Sequence, residues 1–114
     1  MLTKDQILSC ATDLPTEEVQ VPEWGGSVFV RTMSGIERDS FEQSILDAKK
    51  TGLVNVRARL AVRVVCDSSG ARIFDDADAA ALGKKSGKAL DRIFDVAQRL
   101  SGIGAKEVAE LEKN

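Results

Sequence analysis

The strongest constraint on this 114-residue chain is a glycine pair between two β-prone runs, followed at once by a helix start. Val19 to Trp24 and Ser27 to Met33 are rich in valine and aromatic residues, and Gly25-Gly26 joins them. Glycine pairs readily take the positive φ angles that tight hairpins need. Ser34 and Glu37 follow with capping-box spacing: the serine oxygen accepts the third helical N–H and the glutamate reaches back. A β-hairpin running directly into a capped helix results. With Gly25 and Gly26 as the two turn residues, Trp24 faces Ser27, Pro22 faces Phe29 and Val21 faces Val30. One face then carries Val19, Val21, Val28 and Val30; the other carries Pro22, Trp24 and Phe29. Two partly apolar faces call for helices on both sides or for a partner. Pro22 has no N–H to donate, which puts its strand at a sheet edge, where another chain can add.

The rest of the chain reads as helices. Residues 3–13 form a short one, capped by Thr3, with Ile7, Leu8 and Ala11 as a narrow apolar stripe ended by Leu14-Pro15. Thr16-Glu17-Glu18 reads as a polar connector. A second helix runs from Gly35 to Lys50, with Phe41, Ile45 and Ala48 on one face and Gly52 as its stop. Residues 53–66 alternate apolar and polar as a strand does, yet Leu53, Val56, Leu60 and Val64 also fit a helix. Fourteen residues is long for a strand, and length arbitrates toward helix. Asp67 to Gly70 is a turn and Ala71 to Phe74 an extended piece. Asp75 or Asp76 caps a brief helix, Ala77 to Leu82, stopped by Gly83. Ser86 caps the most regular helix, with Leu90, Ile93, Phe94, Ala97 and Leu100 in one stripe and Gly102 as its end. Residues 105–113 form a last, charged helix whose apolar anchors are Val108 and Leu111. The expected fold is α+β: mainly helical, with a β-hairpin in the N-terminal half packed against a small helical bundle, all within one domain spanning residues 1–114.

Chemistry has little to build on. Histidine is absent and the two cysteines, Cys10 and Cys66, form no CxxC pair, so a Cys/His zinc site cannot be assembled in one chain. Both cysteines read as small buried hydrophobes. Gly83-Lys-Lys-Ser-Gly87-Lys88 has one residue too few between its glycines for a P-loop, and Ala89 stands where Ser or Thr is needed. Asp75, Asp76 and Asp78 lack the ligand spacing of a calcium loop and suit helix capping. No catalytic residue, cofactor or metal site emerges. Lys49, Lys50, Arg57, Arg59 and Arg63 are the basic concentration, without interleaved aromatics. The net charge of −2 gives no pull toward nucleic acid or anionic membrane. No run has the ~18–20 apolar residues of a membrane span, and the polar N-terminus lacks a signal-peptide core, so a cytosolic location is expected.

Val19-x-Val-Pro-Glu-Trp-Gly-Gly-x-Val-x-Val-Arg-Thr-Met33-x-Gly-x-Glu-Arg38-Asp39, Phe41-Glu42, Cys66-Asp-x-x-Gly-x-Arg-Ile-Phe74, Leu82-Gly-x-Lys-Ser86, Ala89-Leu-Asp-Arg-Ile-Phe94 and Glu110 to Asn114 resemble the tail assembly chaperones of long, non-contractile-tailed bacteriophages. The resemblance covers about residues 17–114. It implies a non-enzymatic chaperone of virion assembly that binds the tape measure protein and helps recruit the tail tube protein. It places the protein in the host cytoplasm and not in the mature virion, and it favours helix for residues 56–66. Members are made in a short and a frameshift-extended form, and this chain has the length of the short one. Such a chaperone needs an exchangeable apolar surface and many copies acting together. The residues expected at that surface are Val21, Trp24, Val28, Phe29, Val30, Val108 and Leu111, with self-association into a ring or spiral. The alternatives are a small nucleic-acid-binding regulator using Arg57, Arg59 and Arg63, and a minor structural tail protein.

Overall fold

The computed structural model describes residues 1–102 and residue 110. Among these, the chain runs α1 (Lys4–Leu8), β1 (Thr16–Val21), a 3-10 turn (Pro22–Trp24), β2 (Gly26–Arg31), α2 (Gly35–Lys49), α3 (Val56–Val64), β3 (Val65–Cys66), a second 3-10 turn (Asp76–Asp78), α4 (Ala79–Leu82) and α5 (Gly87–Ser101). The expected α+β fold is what forms. The expected helix at residues 105–113, with Val108 and Leu111, lies outside the described residues.

Local chemistry sets most helix ends. Ser34 Oγ accepts the Glu37 N–H at 3.2 Å while Glu37 Oε1 accepts the Ser34 N–H at 2.9 Å, so α2 starts on a complete capping box. Its buried residues are the expected Phe41, Ile45 and Ala48. Ser86 accepts from Ala89 N–H at the start of α5, and Gly102, with φ 69°, closes it in the left-handed region. Asp75 and Asp78 form a reciprocal cap on the second 3-10 turn. Thr3 and Gln6 do the same for α1, but that helix stops at Leu8 and buries none of its residues. The expected helix to residue 13 therefore falls short, because its narrow stripe of Ile7, Leu8 and Ala11 finds no packing partner among the described residues. Cys10 is correspondingly exposed, not buried, while Cys66 is buried as expected.

The hairpin forms with a different turn and register from those expected. Proline at the first position presets φ for the 3-10 turn Pro22–Trp24, and Gly25 (φ 76°) closes it, its N–H reaching the Pro22 carbonyl at 3.0 Å. Gly26 opens β2. The pairs are Val21 with Gly26, Val19 with Val28, and Glu17 with Val30. Thr16, Glu17 and Glu18 are thus strand, not connector. The displacement is even, so Val19, Val21, Val28 and Val30 keep a common face. That face lies against α5. β2 sits in the middle of the sheet, with β1 and β3 antiparallel on either side. β1 is an edge, as expected for the strand of Pro22, though Pro22 itself lies beyond it in the turn.

Residues 53–66 satisfy both of their readings in succession. Val56–Val64 is helix and Val65–Cys66 is strand, pairing with Val30 and Phe29. Every residue of α3 except Arg57 and Arg59 is buried, with α2, α4 and α5 packed around it. Asn55 precedes α3 with φ 53°, a value asparagine tolerates, and its side-chain amide donates to the Ala79 carbonyl at 3.0 Å. Gly83 makes room for it: a Cβ there would stand 2.6 Å from Asn55 Oδ1.

Two outcomes follow. Gly25→Ala lowers stability by about 1 kcal/mol, because only the left-handed backbone opposes it; Gly26→Ala changes it by less than about 0.5 kcal/mol. Urea unfolding of the two variants separates this turn from one centred on the glycine pair. At the end of β2, Arg31 donates to Glu37 through Nη1 at 2.8 Å and Nη2 at 2.7 Å, both side chains largely buried. Burial is the largest influence on the Glu37 carboxyl and pushes it up; the Arg31 hydrogen bond, the Ser34 N–H, the Arg31 charge and the Ser34 hydroxyl together outweigh it and hold it below the ordinary 4.5. A depressed folded pKa gives stability that is complete above the unfolded value and is lost as pH falls through the folded one. Glu37→Ala therefore costs about 2–3 kcal/mol at neutral pH and flattens the fall in stability below about pH 4.5, readable in urea melts across an acid series.

Candidate interaction surface

The hairpin turn holds one of the exposed large apolar side chains. Trp24, the sole tryptophan, is 37% exposed. Two things fix its position. Pro22 and Gly25 close the turn on either side of it. Next to it, the Glu23 carboxylate accepts from Arg92 of α5, Nε to Oε1 at 2.9 Å and Nη2 to Oε2 at 3.0 Å. That hydrogen bond, seconded by Glu23's own backbone N–H, holds the Glu23 carboxyl below its ordinary range. A parallel strap at the far end of β1 joins Arg99 to Glu17 at 2.6 Å, so α5 is tied to the edge strand and to the turn that follows it.

Across from Trp24 stands a wall from the middle of the sequence. Arg72 donates to the Val62 carbonyl from Nε at 3.0 Å and Nη2 at 2.7 Å, and to Asp76 Oδ1 at 2.6 Å. The Arg72 guanidinium accordingly holds the Asp76 carboxyl low. These bonds set the next two residues, Ile73 and Phe74, beside α4. The outcome is an open groove of about 560 Å³ lined by Trp24, Ile73, Phe74, Ala81 and Leu82, with Asp78 and Lys85 contributing one charge of each sign. Concave, apolar and lightly charged, it suits an apolar side chain or helix face.

The residues expected at the interface scatter. Val21 and Val30 are fully enclosed in the chain's own core and present nothing to a partner. Val28 is half-buried against that core. Phe29 is half-buried on the opposite face of β2, paired with Cys66, and does not meet Trp24. Trp24 lies in the turn and belongs to neither sheet face. Val108 and Leu111 fall outside the described residues. Ile73, Phe74 and Leu82 entered the sequence reading as residues of the family resemblance and not as interface residues, and Ala81 was not singled out; the apolar Ile73-Phe74 pair beside Arg72 is the one signal that pointed there.

The basic cluster disperses for a geometric reason. Arg57, Arg59 and Arg63 share a face in a strand, but at 100° per residue positions 57 and 59 stand about 200° apart around a helix. Arg57 pairs with Asp91 and lies over the Phe94 ring. Arg59 donates to the Val54 carbonyl. Arg63 is only 3% exposed and holds Ser40 and Asp76 from inside; burial pulls its guanidinium below the ordinary arginine range. Residues 83–88 link α4 to α5 with Ser86 as a cap, and a helix, α4, leads directly into them where a P-loop would need a strand. Among the described residues, no cluster of three His, Cys, Asp or Glu side chains could hold a metal ion, and no helix is long and apolar enough to cross a membrane. Burial pushes the Cys66 thiol up, away from the reactive thiolate.

A family model described as phage tail assembly chaperone matches residues 3–114. Among solved structures, the chain is similar to one titled as the bacteriophage HK97 tail assembly chaperone. The TM-score is 0.62 at 21% identity, over 84% of this chain and 94% of that one, which is a likeness of fold. No curated protein matches.

If the Arg92 strap fixes the turn, Glu23→Ala leaves the melting temperature nearly unchanged but lowers the steady-state anisotropy of Trp24 emission. Unchanged anisotropy would mean that Pro22 and Gly25 hold the turn unaided.

Proposed function

The chain belongs to the phage tail assembly chaperone family, and from that premise we propose that it binds the tape measure protein in the host cytoplasm, helps recruit the tail tube protein, and leaves before the virion matures. The work is binding without catalysis. A long tape measure protein with apolar helical stretches needs cover until the tube encloses it. That cover must be apolar enough to compete with aggregation and weak enough to leave.

The observation that supports this reading is the Trp24 groove. Its apolar walls accept one face of an amphipathic helix, the helix-in-groove mode of recognition. Its single site is small, so affinity per copy is modest, and many copies along one client supply the rest through avidity. Its walls are anchored by ion pairs and carbonyl hydrogen bonds to α3 and α5, so little ordering is needed on binding. The nucleic-acid alternative has less behind it, since Arg57, Arg59 and Arg63 share no common face.

The test is capture of the tape measure polypeptide by tagged chaperone on co-expression. Ala81 is exposed on α4, so Ala81→Arg fills the groove without entering the core. It should reduce capture several-fold, whereas Leu46→Arg, at an exposed apolar position on α2, should not. Equal capture by wild type and Ala81→Arg would remove the groove from the function.

A further inference from the structure

The sheet ends on β1 with one side of its backbone unpaired. The Thr32 N–H reaches the Pro15 carbonyl at 3.2 Å, and the same register continues through Glu17 with Val30, Val19 with Val28 and Val21 with Gly26. Residues 15, 17, 19 and 21 therefore turn their peptide groups toward β2. Thr16, Glu18 and Gln20 alternate with them and turn theirs outward, where no strand follows β1. Among the described residues, none of these outward groups has a hydrogen-bond partner in the protein. Natural edges are guarded by lysine, an internal proline, a bulge or a covering segment. The β1 ladder is unbroken from Thr16 to Val21 and holds neither Lys nor Pro. The chain leading into it gives little cover, since α1 buries none of its residues and Ala11 and Leu14 line a cleft with Arg31 and Ile36.

We propose that this edge takes an extended segment of another protein as a further strand, with apolar side chains toward α5 and a lysine or arginine opposite Glu18. Outward N–H and C=O groups at alternate residues match an extended backbone and not a helix, whose own groups bond internally. The side chains of an added strand alternate between two surroundings. On one side they lie next to Val19 and near the half-buried Val96 of α5, which stands between Arg92 and Arg99 on the side of the helix that faces β1. Both arginines are already taken, by Glu23 and Glu17, so this side favours apolar residues. On the other side Glu18 is exposed. Ser27 Oγ donates to it at 2.6 Å, and it has no ion-pair partner among the described residues. Thr16 and Gln20 beside it are exposed and neutral.

Charge also decides against the strand's own copy. Two β1 strands paired antiparallel so that all three outward residues are used would set Glu18 directly opposite Glu18, and like charges so placed are destabilising. Pro22, next in the outward series, has no N–H to offer, so pairing ends at Gln20. So short a ladder holds a partner weakly and exchangeably. The edge uses none of the residues that line the Trp24 groove, and its occupant is extended where the groove suits a helix, so the proposal stands independently of the groove.

Amide hydrogen exchange of the full-length chain, read residue by residue by NMR, tests it. The probe is an end-blocked seven-residue peptide of alternating valine and threonine whose central residue is lysine in place of threonine, at millimolar concentration. Binding should slow exchange several-fold at Glu18 and Gln20, while Glu17 and Val19, already bonded to β2, stay unchanged. The same peptide with a central glutamate should protect far less, and Glu18→Lys, at an exposed position, should reverse the preference between the two peptides. No protection at Glu18 and Gln20, equal protection by both peptides, or a preference that Glu18→Lys leaves unreversed overturns the proposal. Protection of these two amides without peptide, rising with protein concentration, would assign the edge to a second copy and overturn it as well.

Discussion

The structure depends on one short helix that is enclosed on almost every side. α3 has only nine residues, and Arg57 and Arg59 alone escape burial. The long helices α2 and α5 and the short α4 all pack on it, and its chain continues without a loop into β3, which completes the sheet. Even its polar surplus is structural. Arg63 sits inside, its charge shared between the Arg59 carbonyl, Ser40 and Asp76. An interior guanidinium costs desolvation unless it is fully engaged; here it joins α2 and the second 3-10 turn to the centre. The Val62 carbonyl, at the same helix end, anchors Arg72 and so sets the wall of the groove.

Around that centre, charge pairs act as straps. Arg31 and Glu37 turn the chain from sheet to helix, and Arg92 and Arg99 tie α5 to Glu23 in the turn and Glu17 in the edge strand. The exposed straps add little stability each. Their effect is on position: they hold Trp24 and its opposite wall in place while the apolar space between them stays open. A rigid frame around an apolar groove fits the proposed role of holding another chain briefly.

Features whose causes lie within four residues were legible in the sequence. The Ser34–Glu37 box, the Phe41–Ile45–Ala48 stripe, the Ser86 cap and the Gly102 stop all depend on short spacing, and all form. The hairpin was legible in kind but not in register, because proline before the glycine pair selected a 3-10 turn over a two-residue one. The common face of Val19, Val21, Val28 and Val30 survived only because the displacement was even. Residues 53–66 carried two periods at once, and the chain uses one after the other. Cys10 and the end of α1 were misread because their stripe had no partner among the described residues. The groove was the least legible feature. It joins Trp24 to residues about fifty positions downstream, and neither half is informative alone. Reading Arg57, Arg59 and Arg63 as one face relied on a strand period that α3 does not follow.

Trp24 reports on the central claim, that its groove is the surface on which another chain settles. Emission of the single tryptophan can be followed while a tape measure polypeptide is titrated into dilute chaperone, with acrylamide quenching at each point. A partially exposed indole that becomes covered should shift its emission to shorter wavelength and lose access to the quencher, saturating with the bound fraction. Binding that leaves the wavelength and quenching of Trp24 unchanged would contradict the claim and place the client elsewhere on the molecule.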